Sequence, residues 1–334
     1  MTRQIYRDFD EFAESIRGLA GHFIPTSRAT SDWWIETKPL DRVTMQRIQI
    51  GGAGVLVGDG KPGAITLGVP LADPASIRID GVGMESNSFF LVKESQPFTF
   101  SSTANTRWAG VTMPVELMGA DLRESEGAAR RAGKGSNVTQ GLEQMRRLIA
   151  RVCADDGSVA FRTNSATHAA EEEIVAAASG ALEQGHRARN SHTGRPQVSR
   201  ARIIARAFEV LDASDGRPLF IDDLLRATQV SERTLRNVFQ EYFGVGPMRL
   251  LRVRQLHQIR AALLAADADQ ETITHIAARF GVWDFSQFAR NYHGLYGERP
   301  SATLRRKQPE SARRAPGARP TWIRYVSRSA GMEL

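Results

Sequence analysis

Cysteine is almost missing: Cys153 is the single one in 334 residues. That excludes an internal disulfide and a cysteine-built zinc cluster, and Cys153 reads most simply as a small residue on a buried helix face. No apolar run approaches the ~18 residues of a membrane span. The opening stretch MTRQIYRDFDEFAESIRG lacks the apolar centre of a signal peptide, so a cytoplasmic protein with no membrane partner is expected. Histidine is missing where a barrel-type metal enzyme would need it, because none of His22, His168, His186, His192, His257, His275 and His293 lies between Trp33 and Pro114. Glycines cluster in GGAGVLVGDG, Gly51 to Gly60, but neither GK[ST] nor a helix pattern follows, so a strand-turn-strand is the better reading than a phosphate loop. With no paired catalytic carboxylates and no triad-like order, the expectation is a protein without catalytic residues, metal or cofactor.

What is present is positive charge, unevenly placed. Residues 195–307 hold 18 basic and 12 acidic side chains, residues 308–334 hold 5 and 2, and residues 1–194 hold 21 and 23. The net +7 thus belongs to the C-terminal half. A basic half suggests nucleic acid, although a solvated arginine-rich face is the commoner explanation of basicity alone.

In that half one design occurs twice. From Ile273 to Arg306 the chain reads ITHIAARFGVWDFSQFARNYHGLYGERPSATLRR. Ile276, Ala277 and Phe280 lie at helical spacing, Gly281 supplies a sharp turn, and Asp284 stands as N-cap of a second helix whose apolar face is Phe285, Phe288, Tyr292 and Leu295. Trp283 precedes that helix, and Ser286, Gln287, Arg290 and Asn291 face the other way. About fifty residues earlier, IDDLLRATQVSERTLRNVFQEYF repeats the plan: Leu235, Val238, Phe239 and Tyr242 face in, and Ser231, Arg233, Arg236, Asn237 and Gln240 face out. Amide, hydroxyl and guanidinium groups on an apolar-backed helix suit major-groove reading. Between the units, Pro247 to Ala265 reads as one helix, roughly 28 Å long at 1.5 Å per residue, close to the ~34 Å between successive major grooves on one face of DNA.

Residues 200–307 resemble the DNA-binding domain of the AraC/XylS family of bacterial transcription regulators. The matching positions are Ser231, Leu235, Phe239, Gly244 and Pro247, then Ile276, Ala277, Gly281, Ser286, Phe288, Arg290, Gly297 and Pro300. Departures are Leu225 and Gln229 for the family's usual Ala and turn Gly, Asn237 for a usual Arg, and Val282 for a usual Phe. Gln229 predicts a strained or differently shaped turn, and Asn237 removes a phosphate or guanine contact and favours adenine if it touches a base.

Upstream, residues 8–24 read as an amphipathic helix. From Trp33 to Pro114 short runs such as VTMQRIQI, AITLGV and RWAGVTM alternate with Gly and Asp turns, which predicts an antiparallel sandwich or small barrel. The resemblance implies the family's jelly-roll effector domain here. The aromatics Trp33, Trp34, Phe89, Phe90, Phe98 and Trp108 are read as core rather than as a pocket, and the effector site is unassigned. Helical periodicity at 138–153 and 168–184 fits a helix pair that covers the barrel or pairs with a second copy. The resemblance favours dimerisation.

The expected architecture is therefore α+β with two domains. Residues 1–185 form a sensory and dimerisation domain, an antiparallel jelly-roll or cupin-like barrel (about 33–114) with flanking helices (about 138–184). A polar linker occupies 186–199. An all-α domain with two helix-turn-helix units joined by a long helix occupies 200–307, and 308–334 is a flexible basic tail. The expected function is sequence-specific transcription regulation by an effector-responsive homodimer, with helices 231–243 and 284–296 in adjacent major grooves of promoter DNA. The resemblance implies a small-molecule effector, and RNA polymerase as a partner for an activator. The alternatives are a non-specific nucleoid-type binder and a barrel enzyme.

Overall fold

The computed structural model describes residues 3–118, 129–131, 136–154, 164–189, 198–214 and 217–306. Its N-terminal half is two antiparallel sheets face to face. One has seven strands in the order β1 (Arg3–Tyr6), β3 (Trp33–Pro39), β4 (Thr44–Ile50), β11 (Thr106–Pro114), β6 (Ala64–Ala72), β9 (Ser88–Val92), β12 (Ala129–Arg131). The other has five, in the order β2 (Leu19–Pro25), β5 (Gly54–Gly60), β10 (Pro97–Ser102), β7 (Ile77–Ile79), β8 (Val82–Gly83). The expected barrel does not close. Among the described residues the sheets meet through side chains, and β1 and β12, β2 and β8 remain as their ends.

Neighbouring residues on one strand go to different layers, as the two-residue period of a strand requires. Phe23, Ile48, Leu56, Phe90, Phe100 and Trp108 fill the space between the sheets. Ile24, Val55 and Val57 point outward from the five-stranded sheet and belong to the core of the helical half. Met45, Leu67, Leu91 and Val111 point outward from the seven-stranded sheet. Both sheets are covered on both sides, which is why β5 and β9 read as unbroken apolar runs rather than alternating ones.

The cover on the seven-stranded sheet is the helix pair α2 (Ser136–Ala154) and α3 (Asn164–Arg189). Leu142, Met145, Leu148, Ile149, Ile174, Ala177 and Ala178 are buried with the sheet residues. Buried Glu171 fastens α3 to the β3–β4 turn by accepting from Arg42 N (2.7 Å), Val43 N (3.3 Å) and Arg42 Nε (3.0 Å). Leu148 and Ile149 lie on the helix face left open in the sequence between a sheet cover and a dimer seam, and they are core residues of one chain, because the exposed sheet face needed an apolar cover. Leu148→Asp is accordingly expected to cost ~3–5 kcal/mol and unfold the sandwich rather than yield a folded monomer. Circular-dichroism melting beside sedimentation separates those outcomes.

The helix expected at 8–24 is also corrected. Only Phe9–Glu14 is helical, as α1, with Asp8 Oδ1 accepting from Asp10 N and Glu11 N. The chain then turns at Gly18, whose φ of 70° few other residues adopt cheaply, and enters β2. Pairing of Leu19–Pro25 with β5 overrides the helical spacing.

The helical half contains α4 (Val198–Ala213), α5 (Ile221–Thr228), α6 (Glu232–Phe243), α7 (Pro247–Ala265), α8 (Ile273–Arg279), α9 (Phe285–Tyr296) and α10 (Pro300–Leu304). Helix α4, unread in the sequence, starts inside the stretch taken as linker. Residues 190–197, the tail 308–334 with Trp322, Ile323, Tyr325 and Val326, and the side chain of Cys153 lie outside the described residues. Phe208, Leu224, Leu235, Phe239, Leu256, Ile276 and Tyr292 form one core across this half.

Candidate nucleic-acid interface

Each unit is a short helix, a tight turn and a longer helix whose N-terminus is capped. In the first, Ser231 Oγ accepts from Thr234 N at 3.2 Å and starts α6, which ends at Gly244. In the second, Asp284 Oδ1 accepts from Gln287 N at 2.8 Å and starts α9, which ends at Gly297. The turns differ in strain. Gly281 takes φ +77° with its Cα against the segment that precedes the first unit, where a Cβ would stand 2.5 Å from Pro218 Cγ. Gln229 holds the corresponding left-handed position at φ 55°, with its N–H donating to Leu225 O at 2.9 Å. A non-glycine residue there is strained by roughly 1 kcal/mol, so Gln229→Gly is expected to raise stability by about that amount in chemical denaturation, with the midpoint moving and the slope unchanged.

The outward faces are open. Ser231, Arg233, Arg236, Asn237 and Gln240 on the first unit are exposed, as are Trp283, Ser286, Gln287 and Arg290 on the second, with Asn291 half-buried. Their hydrogen bonds sort them further. On α9, Gln287 Nε2 donates to Asn291 Oδ1 (2.8 Å) and Arg290 Nη2 donates to Gln287 Oε1 (2.9 Å), so three polar groups form one pre-ordered surface. On α6, Arg236 pairs with Glu232 at 2.7 Å, Gln240 Nε2 donates to Gly244 O at 2.9 Å, and the Ser231 hydroxyl is the helix cap. Arg233 has no ion pair among the described residues, which leaves Arg233 and Asn237 as the groups on α6 most available to a partner. Thr234, unnamed in the sequence reading, shares that exposed face. Its spacing of three from the Ser231 cap was the usable signal.

One expected position fails. Phe285 was placed on the buried face of α9, but it is 36% exposed beside Trp283 at 81%. It starts the helix, one turn short of where Phe288 and Tyr292 reach the core.

The second unit is tied to α7 and α10 by polar contacts. Tyr292 Oη and Thr303 Oγ1 share a hydrogen bond of 2.8 Å, Thr303 Oγ1 donates to Glu298 Oε1 at 2.9 Å, and Glu298 pairs with both Arg260 and Arg306. The Arg260 guanidinium also lies 4.7 Å from the Tyr296 ring centre. Burial pushes Glu298 upward, but the hydrogen bonds from Arg260 and Thr303 and the charges of Arg260 and Arg306 outweigh it and hold the carboxyl below its ordinary value. Arg254 is buried too, donating to Leu211 O (2.6 Å) and Ser214 Oγ (3.0 Å) and so fastening α7 to α4.

In the sandwich, Trp33, Phe90, Phe98 and Trp108 lie between the sheets and Phe89 under the helix pair. Of the six, Trp34 lines a surface cavity of about 400 Å³, beside Arg3, Asp32, Gln49, Asp73 and Arg107. Among the described residues no helix is long and apolar enough to cross a membrane.

Two family models match the chain: a helix-turn-helix domain over residues 224–306 and an AraC-binding-like domain over residues 21–183. The XylDLEGF operon transcriptional activator of Pseudomonas putida is 34% identical over 107 residues, 32% of this chain and 33% of that protein. The probable thc operon regulatory protein of Rhodococcus erythropolis is 34% identical over 110 residues, 33% of each. The chain therefore spans about a third of the length of the curated relatives it matches. A solved structure, a probable AraC family transcriptional regulator from Rhodopseudomonas palustris CGA009, is 31% identical and covers 32% of this chain and 98% of that one, with a TM-score of 0.29. With an AraC-binding-like domain followed by a helix-turn-helix domain, in that order, the chain belongs to the AraC family of transcriptional regulators.

Proposed function

We propose that this protein is a sequence-specific, DNA-binding transcription regulator that lays α6 and α9 in adjacent major grooves of promoter DNA. The observation that carries the reading is the pair of capped helices, each with an apolar back in one shared core and an open polar front, joined by the 19-residue helix α7. Arg290, Gln287 and Asn291 are the base-reading set on α9, with Ser286 at its edge and Trp283 leading it. Arg233 and Asn237 are the readers on α6, and Arg236, paired with Glu232, contributes less. Ser231 and Gln240 position the helix. The sandwich is the sensory half of the same regulator, responsive to a small-molecule effector. A homodimer and a cytoplasmic location belong to the reading, and RNA polymerase is the partner if it activates. The described exposed residues of α2 are Glu143, Gln144, Arg147, Ala150 and Arg151, so a dimer through that helix would be largely polar.

Fluorescence anisotropy on the full chain tests this. Specific affinity should fall steeply as salt rises, from counterion release, and scrambled DNA should bind far more weakly. Asn237→Ala is expected to change preference at one base pair, and Asn237→Arg to tighten binding to DNA of any sequence. A tighter, still selective Asn237→Ala protein would remove Asn237 from the reading set.

A further inference from the structure

The two halves share more than a linker. Ile24, Val55 and Val57 of the five-stranded sheet sit in the helical core, Ser101 Oγ donates to Tyr242 O at 2.7 Å, and Arg249 Nη2 donates to Thr26 O at 3.0 Å. None of those contacts titrates near neutrality. One cluster beside them does contain titratable groups. Asp10 of α1 presents a buried Oδ1 that lies 3.5 Å from His22 Nδ1 on β2 and 3.5 Å from His257 Nε2 on α7. A single carboxylate oxygen thus touches one imidazole from each half of the protein.

We infer that Asp10, His22 and His257 form a protonation-dependent latch that seats the helical half on the sandwich, so that the docking of the two reading helices follows pH. The link from docking to DNA rests on the function proposed above. The docking itself does not.

At 3.5 Å these are ion-pair contacts, too long for well-made hydrogen bonds. Asp10 Oδ1 and His257 Nδ1 are both buried without a hydrogen-bond partner. No group of three such residues among those described is placed to hold a metal ion. Oδ1 is the buried edge of a carboxylate whose side chain is 29% exposed, and what is left to compensate that edge is positive charge on imidazole, the side chain that ordinarily gains and loses it between about pH 5 and 8. Burial pushes the Asp10 carboxyl up, but the contacts with His22 and His257 and their charges outweigh that and hold it well below the usual carboxylate range. Asp10 therefore stays an anion through neutrality.

The other charged and titratable groups nearby are Asp8, Arg260, Tyr296 and Arg28. Asp8 on α1 caps Asp10 N and Glu11 N, Arg260 on α7 is taken up by Glu298, and the Tyr296 hydroxyl on α9 is pushed up by burial and stays neutral. Arg28, from the loop after β2, lies beside Gly297. The sign follows. With the imidazoles protonated the carboxylate faces positive charge across the seam and docking tightens; with them neutral the buried Oδ1 lacks that compensation and docking loosens, with the apolar contact keeping the halves together.

The test is single-molecule energy transfer in the full chain, without DNA, with dyes on exposed positions Glu116→Cys and Gln270→Cys in a Cys153→Ser background. One docked population is expected at pH 6. By pH 8.5 the ratio of loosened to docked molecules should rise about tenfold. His257→Gln should show the loosened population at both values and lose the pH response, and His22→Gln should blunt it. If His257→Gln does not fold, judged by far-UV circular dichroism, His22→Gln carries the test. A distribution identical at pH 6 and 8.5, or an undiminished pH response in the folded His variants, would overturn the latch. Failure to bind DNA would overturn the proposed function and leave the latch standing.

Discussion

Arg260→Ala should cost the helical half about 1.5–3 kcal/mol, the usual loss when a charged hydrogen bond to a half-buried partner is removed. Arg260 is 5% exposed and is held by Glu298 on one side and the Tyr296 ring on the other. Deleting it strands Glu298, which then keeps only Thr303 and the more exposed Arg306. The loss is of compensation for a half-buried carboxylate more than of attraction, so Arg260→Ala with Glu298→Ala should be less destabilising than the sum of the single changes. The pH dependence has a definite sign. Because the folded pKa of Glu298 is lowered, its contribution is complete above the ordinary carboxylate value of ~4.3 and is lost as pH falls below it. Urea unfolding of the four proteins of the cycle, at pH 7 and at about pH 4, measures both effects. Equal midpoints for wild type and Arg260→Ala would show the pair to be inert.

Arg290→Ala and Arg233→Ala should each weaken specific DNA binding at least tenfold, about 1.4 kcal/mol, with the fold intact. Both guanidiniums are exposed and neither is needed by the core. Arg290 is braced by Gln287, which is in turn braced by Asn291. A base contact from Arg290 would thus start from an ordered side chain, whereas Arg233 must be ordered by the DNA. Arg290→Ala should therefore relax choice at one position, and Arg233→Ala should weaken all sequences more evenly if its contact is phosphate. Arg236→Ala should cost less than either, because Glu232 already neutralises that side chain. Anisotropy titrations on folded variants decide it, and wild-type affinity in both alanine proteins would remove these faces from the interface.

The helical half was legible because its signals are local. Ser231 and Asp284 as caps, Gly281 as turn, Pro247 at the head of α7 and the three-and-four spacing of Leu235, Phe239, Phe288 and Tyr292 each act within one or two turns of helix, and all stand where those rules put them. The strained Gln229 was legible for the same reason. The sandwich was less so. Residues 8–24 carry helical spacing, yet β2 is decided by pairing with β5 some 35 residues on, and no local pattern records that. Trp33 and Trp34 differ by one position and lie on opposite sides of a sheet, one in the core and one under Arg3 at 4.3 Å; only the register of β3 against β4 settles which. Leu148 and Ile149 show the same limit. An apolar helix face says that something covers it, and the sheet of its own chain does so. Among the candidate readers, exposure followed from periodicity, but the diversion of Gln240 to Gly244 and of Arg236 to Glu232 depends on rotamers that spacing does not specify.

The most direct test is selection of bound fragments from a random duplex library by the full chain, followed by sequencing. Two helices reading adjacent grooves predict a bipartite motif, two short blocks centred about 10–10.5 base pairs apart, with the block assigned to α9 degraded in Arg290→Ala and the other in Asn237→Ala. Recovery of bound DNA without any enriched motif would contradict sequence-specific reading and point to a non-specific binder, and recovery of no DNA would contradict the account altogether.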